Sequence, residues 1–480
     1  MDWNAAFTEG KGDAERGEQA WGEREFRTVE LGDKRLEQRL KRVAADLAAR
    51  PQAPINQASA DWAATKAAYR LFANPKASEQ KIFAAHQECT VQRMQGQPIV
   101  LAIQDTSYLN YSHHPQTKGL GPIGDSRSDA QGLIMHSTLV VTPEGLPLGL
   151  LTQKIWARSS YNQQSERERK NTAVEQKESY RWISALQETA ELAPANTVVV
   201  TLCDREADIY EFLMEAQRLE AQFVLRAAWD RHIEHDDFPR LWPLLAGQAV
   251  TGYLTIELPA REKRQKRQAR LALRFTAVTL DPPQRHRVAV SEPLPSLSLY
   301  AVHVKEVEPP AEELAIEWML LTNIPVHTSD EALQRVEWYR RRWLVEEFHK
   351  ILKSGCRIEA CRLQTAQRLI GYVTLCSVIA WRLYWLTHVN RTTPTAPATT
   401  ILAPEEVAAL QVLSSRALLP TPSPLTTREA VRLIAKLGGF LGRRHDGEPG
   451  ITVLWRGWQR LSDLTLMCSL VTEGQLVGNS

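Results

Sequence analysis

Little in this sequence narrows its function by composition. Cysteine is scarce: six in 480 residues, at positions 89, 203, 356, 361, 376 and 468. None form a C-x-x-C pair, and no His–Cys spacing fits a zinc site, which removes zinc-finger and thioredoxin-like readings. An apolar leader is missing too: the first twenty residues hold five acids and no apolar core. Reduced thiols in a cytoplasm are the expectation. Long apolar runs are almost absent. The one exception, "LIGYVTLCSVIAWRLYWL" at 369–386, is 18 residues long, carries Arg382 and sits alone in a charged chain. A buried helix is expected there rather than a membrane span. Net charge is only +2, so charge alone neither supports nor excludes a nucleic-acid partner. Internal repeats are absent. What remains is ordinary soluble-protein composition, with 43% hydrophobic and 24% charged residues and room for several domains.

The chain opens helically. In "DKRLEQRLKRVAADLAAR", Leu36, Leu40, Val43 and Leu47 recur at helical spacing behind Asp33, an N-cap. Lys34, Arg35 and Arg39 lie on other faces, either a DNA-binding surface or a solvated one. A second helix is expected over about 57–72, before the turn "NPKAS". After residue 97 the pattern becomes β-rich. "PIVLAIQDTSYLNY" reads as a strand with Asp105 near its end. "HSTLVVTPEGLPLGLLTQKIW" reads as a hairpin, and "NTVVVTLCDREADIYEFLMEAQ" as a strand switching to a helix at Asp204. Further strands are expected through about 230–325, with "REKRQKRQAR" at 261–270 as a hairpin tip or a phosphate-contacting loop. "NRTTPTAPATTILAPEE" at 390–406 reads as a linker before a helical C-terminal region.

One stretch, "WYRRRWLVEEFHKILKSG", poses a sharper question. Tyr339, Arg342, Glu346, Lys350 and Lys353 are spaced +3, +4, +4 and +3. On one helix, from about Ser329 or Asp330 to Gly355, they share a stripe roughly 80° wide. Taken alone, such a stripe is a solvated face with ion pairs. Beside two strand-end aspartates it gains another meaning. Three converging carboxylates need cations, and all-oxygen donors select hard ions such as Mg²⁺ or Mn²⁺. Two such ions suit phosphoryl transfer, with nearby Arg and Lys on a nucleic-acid backbone.

These residues resemble the DDE cut-and-paste transposases of the IS-four family, and within it the branch of transposon five. Tyr339, Arg342, Glu346 and Lys353 match the family signature Y-x2-R-x3-E-x6-K without a gap, and Lys350 matches a further basic position. "LAIQDTSYLNY", "CDREADIY", "AAYRLFANP", "EWMLLTN", "LGGFLGRR" and "LWRGWQRL" are similar blocks. The resemblance spans nearly the whole chain but is poor over the first 30 residues. It implies an α/β fold: a ribonuclease-H-like catalytic core at 86–388, interrupted by a β-rich insertion at about 230–325. Helical units flank it, one binding end DNA at 1–85 and one dimerising at 389–480. It implies that Asp105, Asp204 and Glu346 are catalytic and hold two Mg²⁺ ions, which Mn²⁺ can replace. Tyr339, Arg342, Lys350 and Lys353 would hold transposon-end DNA, with Lys34, Arg35 and Arg39 on the N-terminal helix. Trp318 would stack on a flipped base; otherwise it is a packed strand residue. The implied reaction is excision through a hairpin intermediate and joining of 3′ ends to target DNA, by a homodimer, with no membrane partner. Deleting residues 1–85 is expected to weaken end recognition more than it harms the core.

Overall fold

The computed structural model describes residues 17–124, 128–159, 172–258, 266–283, 294–311, 313–416, 424–443 and 446–472. Residues 261–265 of the basic run, Arg444 of "LGGFLGRR" and the acidic chain start up to residue 16 lie outside them.

The sheet is built around β1 (Ile99–Asn110). It pairs antiparallel with β3 (Gln131–Val141) and parallel with β5 (Val198–Cys203). β4 (Pro147–Trp156) lies outside β3, β2 (Gly121–Pro122) also pairs with β3, and β6 (Gln222–Arg226) runs parallel to β5. Parallel neighbours need crossovers. The helix Tyr210–Arg218 makes the one from β5 to β6, and the helix Tyr180–Leu192 leads into β5. The order β4-β3-β1-β5-β6 agrees with the expected ribonuclease-H-like core. The inserted strands are β7 (Gly252–Leu258), β8 (Arg267–Leu280), β9 (Leu297–Glu306) and β10 (Glu317–Thr322). β10 pairs antiparallel with β6, so the insertion lengthens the same sheet.

Alternation along the strands divides the apolar residues between two cores. Val200, Leu202, Val224 and Leu320 enter one, with the long helix α11 (Ala366–Thr392). Cys203, Phe223, Leu225, Met319 and Leu321 enter the other, with Trp182, Phe212 and Leu213. The apolar run at 369–386 lies within α11, 94% of whose most apolar window is buried inside the protein, as expected.

The N-terminal unit begins with α1 (Gly17–Glu25) and α2 (Lys34–Ala49). Leu36, Leu40, Val43 and Leu47 are buried, and the Asp33 carboxylate accepts from Arg35 N at 2.9 Å and Leu36 N at 3.3 Å. Lys34 and Arg35 are exposed and Arg39 is half-buried. The second expected helix is two pieces, α3 (Ile55–Ala58) and α4 (Trp62–Phe72). Ser59 takes extended backbone after the first, and Asp61 caps the second. The next helix, α5 (Glu79–Met94), runs straight through residue 85.

That helix is tied into both the N-terminal unit and the core. The buried Glu25 carboxylate accepts from Arg93 Nη1 at 3.1 Å and Nη2 at 3.0 Å, and meets His86 Nδ1 at 2.5 Å. Arg93 Nε donates to Leu148 O of β4, and its guanidinium lies over Trp381 of α11 at 4.2 Å. His86 Nε2 accepts from Leu150 N at 2.9 Å, so its proton sits on Nδ1 and the ring is neutral. Deletion at residue 85 would leave Arg93 buried without its acid, which argues against the expectation that it harms the core less than end recognition.

Two other expectations need correction. The segment 390–406 is a packed connection rather than a free linker: Ala398 N donates to Leu425 O, and Thr427 N to Ala396 O, both at 2.7 Å. The stretch holding the polar stripe is not one helix. It consists of α9 (Ser329–Arg340), α10 (Trp343–Lys350) and a π-turn at Ile351–Gly355. Thr328, not Ser329 or Asp330, is the N-cap, in a capping box with Glu331. At the break, Arg341 N and Arg342 N bond back three residues, to Trp338 O and Tyr339 O at 2.9 Å, tightening the turn. Gly355 is a buried contact position, where a Cβ would meet Trp455 at 3.0 Å; the left-handed conformation falls to Arg357 (φ 48°).

Candidate active site

The parallel ladder between β1 and β5 ends at Ile103↔Leu202. Asp105 follows two residues later on β1, still paired with Ser137 of β3. It is therefore mid-strand rather than at a strand end, but it lies past its parallel neighbour. Asp204 directly follows β5 and caps the 3₁₀ turn Arg205–Ala207, its Oδ1 accepting from Glu206 N at 2.8 Å. The nearby Asp208 has a different task. It is buried and bonded by Ala228 N, Trp229 N and Arg231, so it anchors the loop after β6.

Helix α10 supplies the third carboxylate, and Arg342 at the break connects the group. Its Nη2 donates to Glu346 Oε1, and its Nη1 lies 3.9 Å from Asp105 Oδ1. Burial pushes the Asp204 carboxyl up to about 6, and the Asp105 charge adds to the rise, while the Glu206 N–H opposes it. Burial works against the Arg342 charge, but Tyr339, Glu346 and Asp105 hold it above its ordinary value.

Two of the three predicted acids, Asp105 and Glu346, thus meet one guanidinium, while Asp204 is reached by its charge alone. Among the described residues, no three Asp, Glu, His or Cys side chains lie close enough together to close on an ion. Arg342 stands between Asp105 and Glu346 as their cation. The donor set is three carboxylates with no soft ligand, which fits hard divalent ions once Arg342 yields its place.

The other predicted residues divide. Tyr339 is buried, which pushes its phenol up to about 12. Trp318, half-buried on β10, packs edge-on against it with centroids 5.8 Å apart. Lys350 is exposed. Lys353 is half-buried and donates to Tyr108 O of β1 at 2.6 Å, and burial lowers its pKa against the pull of Glu359 and Asp105. The polar stripe is accordingly not a wholly solvated face: Tyr339 packs on Trp318, Arg342 reaches Asp105 and Glu346 accepts from Arg342, while Lys350 faces solvent. Lys34, Arg35 and Arg39 belong to a different region, on α2 of the N-terminal unit.

Sequence reasoning passed over His349 and Arg226. His349, one turn past Glu346, is buried with Nδ1 3.5 Å from Asp105 Oδ2. Its spacing of +3 from Glu346 was a usable signal. Arg226, on β6, donates to Glu317 O at 2.8 Å, and its charge is felt by Tyr339, Arg342 and Asp204. Only strand pairing brings it there.

Comparison with known families matches three models in order along the chain. Residues 18–77 match a transposase DNA-binding domain, 183–382 a transposase DDE domain and 378–468 the transposase Tn5 dimerisation domain. The DDE match contains Asp204, Trp318, Tyr339, Arg342 and Glu346, and the last two matches meet within α11.

Proposed function

We propose, for a chain that belongs to the Tn5-like DDE transposases, that it excises its element through a hairpin intermediate and joins the freed 3′ ends to target DNA. As a member of that family it is a DNA-binding, homodimer-forming enzyme of strand cleavage and strand transfer, and DDE domains work with divalent metal ions. The observation that carries the finer reading is Arg342 bridging Asp105 and Glu346, beside Asp204 at the end of the neighbouring parallel strand.

Asp105, Asp204 and Glu346 are the residues that would hold the metal, with two Mg²⁺ ions as the expected occupants and Mn²⁺ as a substitute. Bound there, the ions would activate the attacking water or 3′-hydroxyl and offset charge on the leaving oxygen. The chain's own groups do the rest. Arg342 would give up its hydrogen bond to Glu346 and its ion pair with Asp105 in turning to a DNA phosphate. Trp318 and Tyr339 form an aromatic pair on which an expelled base can stack, offsetting the few kcal/mol that flipping costs. Lys350 faces solvent at the end of α10 and suits a phosphate contact. Lys34, Arg35 and Arg39 lie on the surface of the DNA-binding match and suit the terminal repeats. All six cysteines are free thiols, which supports a reducing cytoplasm as the working compartment.

The test is incubation with a DNA fragment carrying the gene's own flanking ends, plus Mg²⁺, resolved on a denaturing gel. Nicked, hairpin and target-joined products should appear in that order. Cleavage without hairpins or joining would mark a nuclease instead.

A further inference from the structure

Behind the two aspartates lies a clamp that none of the signature residues supplies. Arg181, in the first turn of the helix Tyr180–Leu192, has a side chain only 10% exposed. Its Nε donates to Thr106 Oγ1 at 2.8 Å, its Nη1 to Glu178 O at 2.8 Å and its Nη2 to Glu206 Oε2 at 2.6 Å. Thr106 is the neighbour of Asp105 on β1, and Oγ1 also meets His136 Nδ1 on β3 at 2.9 Å. Glu206 is the residue whose N–H is accepted by Asp204. One guanidinium therefore joins the strand that bears Asp105 to the turn that bears Asp204.

The backbone makes such a joint necessary. Main-chain pairing between β1 and β5 stops at Ile103↔Leu202, before either aspartate. Beyond that point β1 continues with β3, while the other chain curls into its 3₁₀ turn. Nothing in the ladder fixes the separation of the two carboxylates. The planar fork of an arginine can, since its donors leave in fixed directions. Alternation along β1 puts Asp105 on the face of Arg342 and His349, and Thr106 on the face of Arg181. Arg181 thus stands on the opposite side of the sheet from Glu346, away from the reacting atoms.

We propose that Arg181 is a positioning residue: by holding Thr106 and Glu206 together it sets the spacing of Asp105 and Asp204, and so the site's ability to take up divalent metal. This rests on the reading of those acids as the metal-holding groups. Outer-shell contacts of this kind are worth about 10–100-fold in metal affinity or activity.

The experiment is a Mn²⁺ titration followed by electron paramagnetic resonance on the full-length chain, alongside end-DNA cleavage kinetics and thermal melts. Arg181→Met should weaken Mn²⁺ binding by about tenfold or more and lower kcat by a similar factor. KM for end DNA and the melting temperature should stay close to those of the unmodified chain. Glu206→Ala, on an exposed residue, should reproduce part of the loss, while Glu206→Gln, which keeps an acceptor oxygen, should restore most of it. The pair Arg181→Met with Glu206→Ala should be no worse than Arg181→Met alone, because both break one joint. Should Arg181→Met fail to fold, the two Glu206 variants carry the test. Unchanged Mn²⁺ affinity in Arg181→Met or Glu206→Ala overturns the proposal. So does a loss of DNA affinity and melting temperature as large as the loss of metal, which would make the contact merely structural. An unmodified chain that binds Mn²⁺ no better than Asp204→Ala would overturn the metal reading of the acids, and this inference with it.

Discussion

At the scale of single residues, burial decides what a polar group can do. Asp204 is the clearest case. Its carboxyl sits at about 6 in the fold against an ordinary 3.8, so its ionised form costs stability above pH 6 and costs nothing below 3.8, where both states are protonated. Metal-free Asp204→Asn should therefore melt a few degrees higher than the unmodified chain at pH 7.5, with the gain gone at pH below about 4. Equal melts at pH 7.5, measured with a chelator present, would contradict the strained-carboxylate account. The two lysines of the stripe should also part company. Lys350→Ala should weaken end binding and lower its salt slope by roughly one. Lys353→Ala should leave the salt slope nearly unchanged, since its ammonium is engaged by Tyr108 O. Binding isotherms across a salt series distinguish the two. Trp318→Ala should nick normally yet accumulate nicked DNA with few hairpins, because only the hairpin requires an expelled base. A product time course checks it; equal slowing of both steps would make Trp318 a packing residue. Asp204 and Glu346 were legible in the sequence because each follows a change of periodicity or lies on a spaced stripe. Arg181 and Arg226 were not, because their partners lie 75 and 91 positions away; His349 offered a signal in its +3 spacing from Glu346, although its partner Asp105 lies 244 positions away.

At the scale of elements, the strands were legible almost one for one, since β-branched runs between turns announce themselves. The break between α9 and α10 was not. No Gly or Pro marks it, and the tightened turn at Arg341 and Arg342 is fixed by tertiary contact, including Arg341 Nε on Pro143 O at 2.9 Å. Nor did a Pro- and Thr-rich composition reveal that 390–406 packs. The N-terminal helices raise the strongest element-scale expectation. Glu25 is fully enclosed; burial works to raise its carboxyl, but Arg93 and His86 hold it down at about 2 against an ordinary 4.5. Its stabilising contribution is complete above pH 4.5 and drains away as pH falls toward 2. Glu25→Ala should cost about 3–5 kcal/mol, because it leaves Arg93 buried and unpaired. Deletion of residues 1–85 should give an aggregating product rather than a free-standing core. Chemical denaturation of Glu25→Ala, and gel filtration of the truncated chain, test this. A well-folded truncation product would show that the N-terminal helices are only lodged on the core.

Across the whole molecule, one helix holds the parts together. α11 carries Trp381 under Arg93, and Arg382 under both Trp21 of α1 at 4.6 Å and Trp458 of α14 (Ile451–Thr472) at 5.5 Å. The DNA-binding, DDE and dimerisation regions therefore share one core, with Asp105 on β1 and Asp204 after β5, on interior strands away from the sheet's β7 edge. The central claim is that Asp105, Asp204 and Glu346 form one site for cleaving and joining DNA, while binding of end DNA is supplied elsewhere. The direct measurement runs Asp105→Ala, Asp204→Ala and Glu346→Ala beside the unmodified chain, on labelled end DNA in Mg²⁺, with cleavage and gel shift read from the same samples. All three variants should shift the DNA as the unmodified chain does and leave it uncut. Substantial cleavage by any one of them would remove that residue from the site and break the account.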